Sequence, residues 1–190
     1  MTRWPVGSSR LQGHDYSATG AYFVTVCSFE KKLVFQNPTG QEVIESAWAE
    51  IPSHFTVVQL DAFVVMPNHV HGVLLMLENG RGDAGREAVG PLHATVLQHP
   101  VHRKSLQLPR LSVIVRSFKS AVTRELRIRG LHDGPIWQPN YHDRVVRDEA
   151  ELNRIREYIA QNPVTWQHDS DNPQRTSNEA YERAWGWLEP

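Results

Sequence analysis

The segment Asp61-Ala-Phe-Val-Val-Met-Pro-Asn-His-Val-His-Gly-Val-Leu-Leu-Met76 constrains this chain more than any other, because a strand-like apolar run carries two histidines one residue apart. In a strand, residues i and i+2 point to the same face. His69 and His71 can therefore reach one divalent ion while Val70 points the other way, into a core. Imidazole is the commonest side-chain metal ligand, and a strand aims it rigidly. A His-x-His on an apolar strand is also an ordinary packing pattern, so the pair alone does not decide between the two roles.

A second segment adds to it. Asp148 is positioned as an N-cap, with Glu149 and Glu151 in the first turn, where the helix dipole favours acidic groups. The spacing predicts a helix over roughly Asp148 to Gln161, ended by Pro163, with Asn162 pushed off helical geometry before the proline. Leu152, Ile155 and Ile159 form one apolar face, and Arg154, Tyr158 and Asn162 repeat every four residues on a neighbouring one. A tyrosine and an amide one turn apart, beside a histidine pair, make a workable set for cleaving a phosphodiester. The phenol attacks, the amide oxygen completes a metal site, and the metal polarises the phosphate.

Around these segments the periodicity predicts strands over 21–29, 57–65 and 70–77, with 32–35 as a short partner strand. Helices are predicted from Thr39 or Gly40 to Ile51, ending at Pro52, and from Leu111 to Arg129. Residues 135–146 read as irregular or strand-like. The stretch 78–110, rich in Gly, Pro and His, has no sustained period and is expected to be a long mobile loop. The resulting order is strand–helix–strand–strand–helix–strand–helix. It suits an α+β sandwich of ferredoxin-like type, an antiparallel sheet backed by helices.

The chain has 190 residues, 40% of them hydrophobic and 22% charged, which suits a single soluble domain, expected over 1–173 with a polar tail over 174–190. Its one cysteine, Cys27, excludes an internal disulfide and is expected to be a small buried apolar side chain. The first residues lack the apolar core of a signal peptide, and no apolar run approaches spanning length, so the expected location is cytoplasmic with no membrane partner. The net charge of −1 hides a strong asymmetry: 101–130 holds eight Lys or Arg against Glu125 alone, whereas 148–190 holds nine acids against four arginines. Arg116, Lys119, Thr123 and Arg127 form a stripe on the predicted helix, opposite Ile114, Phe118, Val122 and Leu126. Such a stripe is ordinarily a solvated face; beside a nuclease site it becomes a phosphate-contacting one.

Five separated segments in a fixed order carry a family resemblance. They are Arg10-Leu-Gln-Gly-His-Asp-Tyr-Ser-Ala-Thr-Gly-Ala-Tyr-Phe-Val-Thr25, Phe63-Val-Val-Met-Pro-Asn-His-Val-His-Gly72, Val115-Arg-Ser-Phe-Lys-Ser-Ala-Val-Thr123, Ile136-Trp-Gln-Pro-Asn-Tyr-His-Asp-Arg-Val-Val-Arg-Asp-Glu149 and the helix ending Tyr158-Ile-Ala-Gln-Asn-Pro163. Together, from about Arg10 to Pro173, they resemble the REP-associated tyrosine transposases of the single-tyrosine HUH superfamily. The resemblance implies the ferredoxin-like fold, with the tyrosine helix across the open face of the sheet. It also implies a metal-dependent endonuclease and strand transferase acting on single-stranded DNA. In that reading Tyr158 is the nucleophile, forming a 5′-phosphotyrosine link, and His69, His71 and Asn162 hold Mg²⁺ or Mn²⁺. The implied partner is a hairpin-forming repetitive palindrome, met by a monomer or homodimer. Arg10, His14, Arg116, Lys119 and Arg127, together with Arg3, are the candidates for contacting it.

The chain departs from many relatives in its short Gln36-Asn-Pro-Thr39 turn and in His142, where an aromatic residue is common. Tyr141 is a rival for the nucleophile, with packing or base stacking as its ordinary role. No residue identifies itself as the base that activates the phenol. Two other functions stand beside the enzyme. One is a catalytically silent hairpin-DNA binder on the same scaffold. The other is an RNA-binding module, which would need stacking aromatics where the His pair sits.

Overall fold

The computed structural model describes residues 15–78 and 108–188; the expected DNA contacts Arg3, Arg10 and His14, and nearly all of the expected 78–110 loop, lie outside the described residues. Four strands, β1 (Gly20–Cys27), β2 (Val58–Val65), β3 (His69–Met76) and β4 (His142–Val146), form one antiparallel sheet in the order β2-β3-β1-β4. With the intervening helices α1 (Pro38–Ala49) and α3 (Leu111–Ile128) this is the ferredoxin-like arrangement expected from the sequence. A short α2 (Ile51–His54) follows α1, and α4 (Glu149–Thr165) and α5 (Glu179–Trp185) follow β4.

Alternation along the two central strands builds two cores. Tyr22, Val24, Val26, Val70, Leu74 and Met76 face one side and pack with Val43, Ile44 and Trp48 of α1 and Ile114, Phe118 and Val122 of α3. Ala21, Phe23, Val73 and Leu75 face the other, against Leu152, Ile155, Tyr158 and Ile159 of α4 and Tyr181 and Trp185 of α5. Strands buried on both faces read as continuous apolar runs, which is why β1 and β3 are apolar nearly throughout. Trp48 stacks on Phe63 at 4.5 Å directly over Gly72, where a Cβ would lie 2.4 Å from Trp48 Cζ2. The glycine is therefore a requirement of packing.

Several boundaries differ from the sequence reading for local reasons. Residues 32–35 form no strand: Glu30 and Lys31 take positive φ of 55° and 52°, the chain turns, and Phe35 reaches its neighbour through a single bond from its N–H to Pro67 O, 3.0 Å. α1 starts at Pro38, capped by the Asn37 side chain accepting from the Thr39 N–H at 2.9 Å. Pro52 does not end helical structure but opens α2, where a missing N–H costs nothing. Pro163 likewise fails to stop α4. The ring forfeits only its own bond, so close to the end that the helix continues to Thr165, and Asn162 stays helical, one turn below Tyr158. Within the segment expected as a polar tail, Glu179–Trp185 form α5, and Tyr181, Trp185 and Leu188, at spacings of four and three, bury against β1 and α4.

β2 carries a one-residue irregularity between Leu60 and Phe63. Both of those residues join the α1/α3 core, so the intervening Asp61 and Ala62 are left for the α4 side. Asp61 there takes a two-pronged bond from Arg156, with Nε–Oδ1 at 2.8 Å and Nη2–Oδ2 at 2.6 Å. At the other edge, buried Glu151 accepts from Arg144 of β4 at 2.9 Å and from the Arg147 N–H at 2.9 Å. Burial raises the Glu151 pKa, but the hydrogen bonds from the Arg147 side chain, 3.0 Å, from the Arg147 N–H and from Arg144 outweigh it and hold the carboxyl below its ordinary value. α4 is thus fastened to both outer strands, which fixes the height of Tyr158 over the sheet.

Candidate active site

The site occupies the α4 face of the sheet at the end where β3 begins. His69 pairs in register with Cys27, and His71 with Thr25 on one side and Val64 on the other. The two imidazoles converge: His69 Nε2 and His71 Nε2 are 2.9 Å apart, and both rings are buried. Two ligands at about 2.1 Å from an octahedral ion, at right angles, lie about 3.0 Å apart, so the spacing is that of two neighbouring donors on one cation.

The surroundings set the protonation of the pair. Asn68 Nδ2 donates to Lys31 O at 3.0 Å and to Asp171 O at 2.7 Å. Its Oδ1 must then accept, and it does so from His69 Nδ1–H at 2.9 Å, leaving a lone pair on His69 Nε2. His71 Nδ1 is 2.9 Å from Thr25 Oγ1, a hydroxyl that can donate or accept and so permits either tautomer. Burial, with a smaller contribution from Lys31, pushes the His69 pKa down to about 3. Burial and the neighbouring His69 take His71 well below its ordinary value too, with Asp171 opposing. Both rings are neutral across the physiological range, the state in which imidazole binds metal.

Tyr158 Oη lies 3.2 Å from His71 Nε2. Phe23 stacks on His71 at 5.4 Å and meets Tyr158 edge-on at 6.1 Å, holding both rings in place. Trp185 of α5 packs on the outer side of Tyr158 at 5.6 Å, and the tyrosine is only 3% exposed. Asn162 is fully buried, and neither side-chain atom has a hydrogen-bond partner. An amide buried in that state has donor and acceptor capacity to spare.

The loop after α4 also reaches the site, with no sequence pattern to announce it. Asp169 Oδ2 lies 3.9 Å from His69 Nε2, and donor atoms of His69, His71 and Asp169 fall within 4.8 Å of one another. Asp171 Oδ2 lies 3.9 Å from His69 Nδ1, its other oxygen ion-paired with Lys31, and Cys27 Sγ donates to it at 3.6 Å. Cys27 is buried as expected. In sequence these aspartates are two acids among nine in an acidic segment. Nothing periodic marks them as buried.

The rival and the basic stripe fall elsewhere. Tyr141 packs with the α1/α3 core, on the far side of the sheet from the histidines. His142, paired with Thr25, shares the histidine face instead, half-buried, and burial lowers its pKa. α3 also belongs to the far layer, so exposed Arg116 and Arg127 do not share a wall with the His pair. Lys119 is drawn out of their stripe: its Nζ donates to Gln138 O at 2.7 Å and Asn140 O at 2.8 Å, and burial pushes its pKa down to about 8. It fastens the 138–140 turn to α3.

The fold has a counterpart among the REP-associated tyrosine transposases. The structure of such a transposase bound to a REP hairpin superposes over 95% of this chain and 89% of that one, with a TM-score of 0.54 at 20% identity, a likeness of fold. A candidate transposase from Deinococcus radiodurans covers 88% of this chain at 17% identity, with a TM-score of 0.44, too low to define a fold. In sequence, a Haemophilus influenzae protein known only as uncharacterized is 31% identical over 176 residues, 85% of this chain and 90% of that one. The chain belongs to the same family as that protein. No family model matches it. Among the described residues no helix is long and apolar enough to cross a membrane.

Proposed function

We propose that this protein is a metal-dependent single-stranded DNA endonuclease and strand transferase that works through a 5′-phosphotyrosine intermediate. The observation that carries the reading is the contact of Tyr158 Oη with His71 Nε2, itself within 2.9 Å of His69 Nε2. The residues fit a metal: two neutral imidazoles converge, one with its tautomer fixed, and Asn162 is a buried amide with an uncommitted oxygen. His69, His71 and Asn162 would hold Mg²⁺ or Mn²⁺, which when bound supplies Lewis-acid polarisation of a scissile phosphate. Tyr158 Oη would attack the phosphorus, forming the tyrosyl–phosphate bond as the bond to the 3′-oxygen breaks, and the phenol proton ends on the leaving 3′-hydroxyl. Another 3′-hydroxyl can reverse the step, which joins strands instead of hydrolysing them.

The hairpin bound by the fold relative makes a hairpin-forming DNA the substrate to test, with Arg116 and Arg127 as phosphate contacts on the far layer and Arg10 and His14 as further candidates. A catalytically silent hairpin binder is the second reading, and the burial of Tyr158 beneath Trp185 is the observation that favours it. Incubating the protein with Mn²⁺ and 3′-labelled hairpin oligonucleotides separates the two. The enzyme gives a denaturant-resistant protein–DNA adduct, whereas tight binding without adduct supports the silent binder.

A further inference from the structure

We propose that Asp169 is a ligand of the same metal, so that the centre combines two histidines with a carboxylate and the ion ties the chain beyond α4 onto the sheet. This rests on reading the His pair as a metal centre, and it adds a residue outside the tyrosine helix. Asp169 is 2% exposed, and its orientation is built: Oδ1 accepts from the Asp171 N–H at 2.6 Å, which turns Oδ2 toward His69 Nε2, 3.9 Å away. The loop is itself anchored. Asp171 is paired with Lys31 and accepts from Cys27, and its carbonyl accepts from the same Asn68 amide whose oxygen orients His69. One side chain, Asn68, thus sets both a histidine and the aspartate loop.

Electrostatics favours the same assignment. A carboxylate buried beside two uncharged imidazoles gains strongly from a divalent cation held between them, and the ion loses part of its charge in return. An oxygen donor added to two nitrogens also biases the centre toward the harder ions Mg²⁺ and Mn²⁺. Because Asp169 lies between α4 and α5, a bond from it would fasten the segment whose Trp185 covers Tyr158.

The test measures Mn²⁺ affinity of the full chain by electron paramagnetic resonance, without DNA, for wild type, Asp169→Asn and His69→Ala. The expected result is a loss of about tenfold or more for Asp169→Asn and no measurable site in His69→Ala. Equal affinity in wild type and well-folded Asp169→Asn, with binding lost in His69→Ala, would overturn the role of Asp169 and leave the histidine centre standing. No Mn²⁺ binding by wild type would remove both. Should Asp169→Asn fail to fold, the wild type decides alone. Its Mn²⁺-minus-chelator infrared difference spectrum is expected to show a carboxylate stretch that moves when aspartate is ¹³C-labelled. A spectrum without that band contradicts the proposal.

Discussion

The two faces of the sheet are made by alternate residues of the same strands and do opposite things with them. On the α1/α3 face the central strands present Tyr22, Val24, Val26, Val70 and Leu74, an uninterrupted apolar layer. On the α4 face the same strands begin apolar at Phe23 and Val73 and then turn polar at Thr25, His69 and His71, buried just as deeply. Burying polar groups costs stability unless they are paired, so one face supplies the stability that the other spends on its site. The fastening of α4 to β2 and β4 by charged pairs belongs to the second face, where apolar packing does not run the whole length.

The largest expected effect falls on the polar face alone. Tyr158→Phe should abolish adduct formation altogether, while unfolding in denaturant shifts by less than about 1.5 kcal/mol, the worth of one hydrogen bond. The apolar face should give the converse. Phe118→Ala, removing a ring packed edge-on against Trp48 at 5.4 Å, should cost about 3–5 kcal/mol with Mn²⁺ affinity unchanged in the folded protein. Next comes Gly72→Ala, whose methyl would collide with Trp48. Overpacking of this kind costs about 1–3 kcal/mol in urea unfolding, and a smaller change would mean that Trp48 shifts freely.

Asn162→Leu should have the opposite sign. It removes two unpartnered buried polar atoms, so the chelator-treated protein should gain about 1 kcal/mol while Mn²⁺ binding weakens; a loss of stability would show the amide to be structurally satisfied. The smallest effect concerns Glu151. Its folded pKa lies below the ordinary 4.5, so the unfolded chain binds more protons in that window. Its stabilising contribution is complete above about pH 4.5 and is lost as the pH falls through the folded value. The difference between wild type and Glu151→Gln, on the order of 1 kcal/mol at neutral pH, should therefore shrink in acid. A difference independent of pH would detach it from the carboxylate.

The features of the molecule legible in the sequence are those encoded by local period. The His-x-His spacing puts both rings on one face of β3, and the four-residue step from Tyr158 to Asn162 puts both on one side of α4. The order of elements followed from the same periods. What was hidden depends on how distant pieces meet. Whether Lys119 faces solvent depends on the turn at Gln138 and Asn140, and whether α3 stands beside the site depends on which layer it joins. Asp169 and Asp171 enter the site only because α4 runs past Pro163 and delivers the next loop to His69. Tyr141 and His142 are neighbours in sequence, yet only the second shares the face of Thr25 and His71.

The most direct test of the division between faces is to digest the Mn²⁺-dependent protein–DNA adduct and locate the linked residue by mass spectrometry. The expected product is a 5′-phosphate ester on Tyr158, whose Oη lies 3.2 Å from His71 Nε2. A link on Tyr141, which packs in the opposite core, would contradict it.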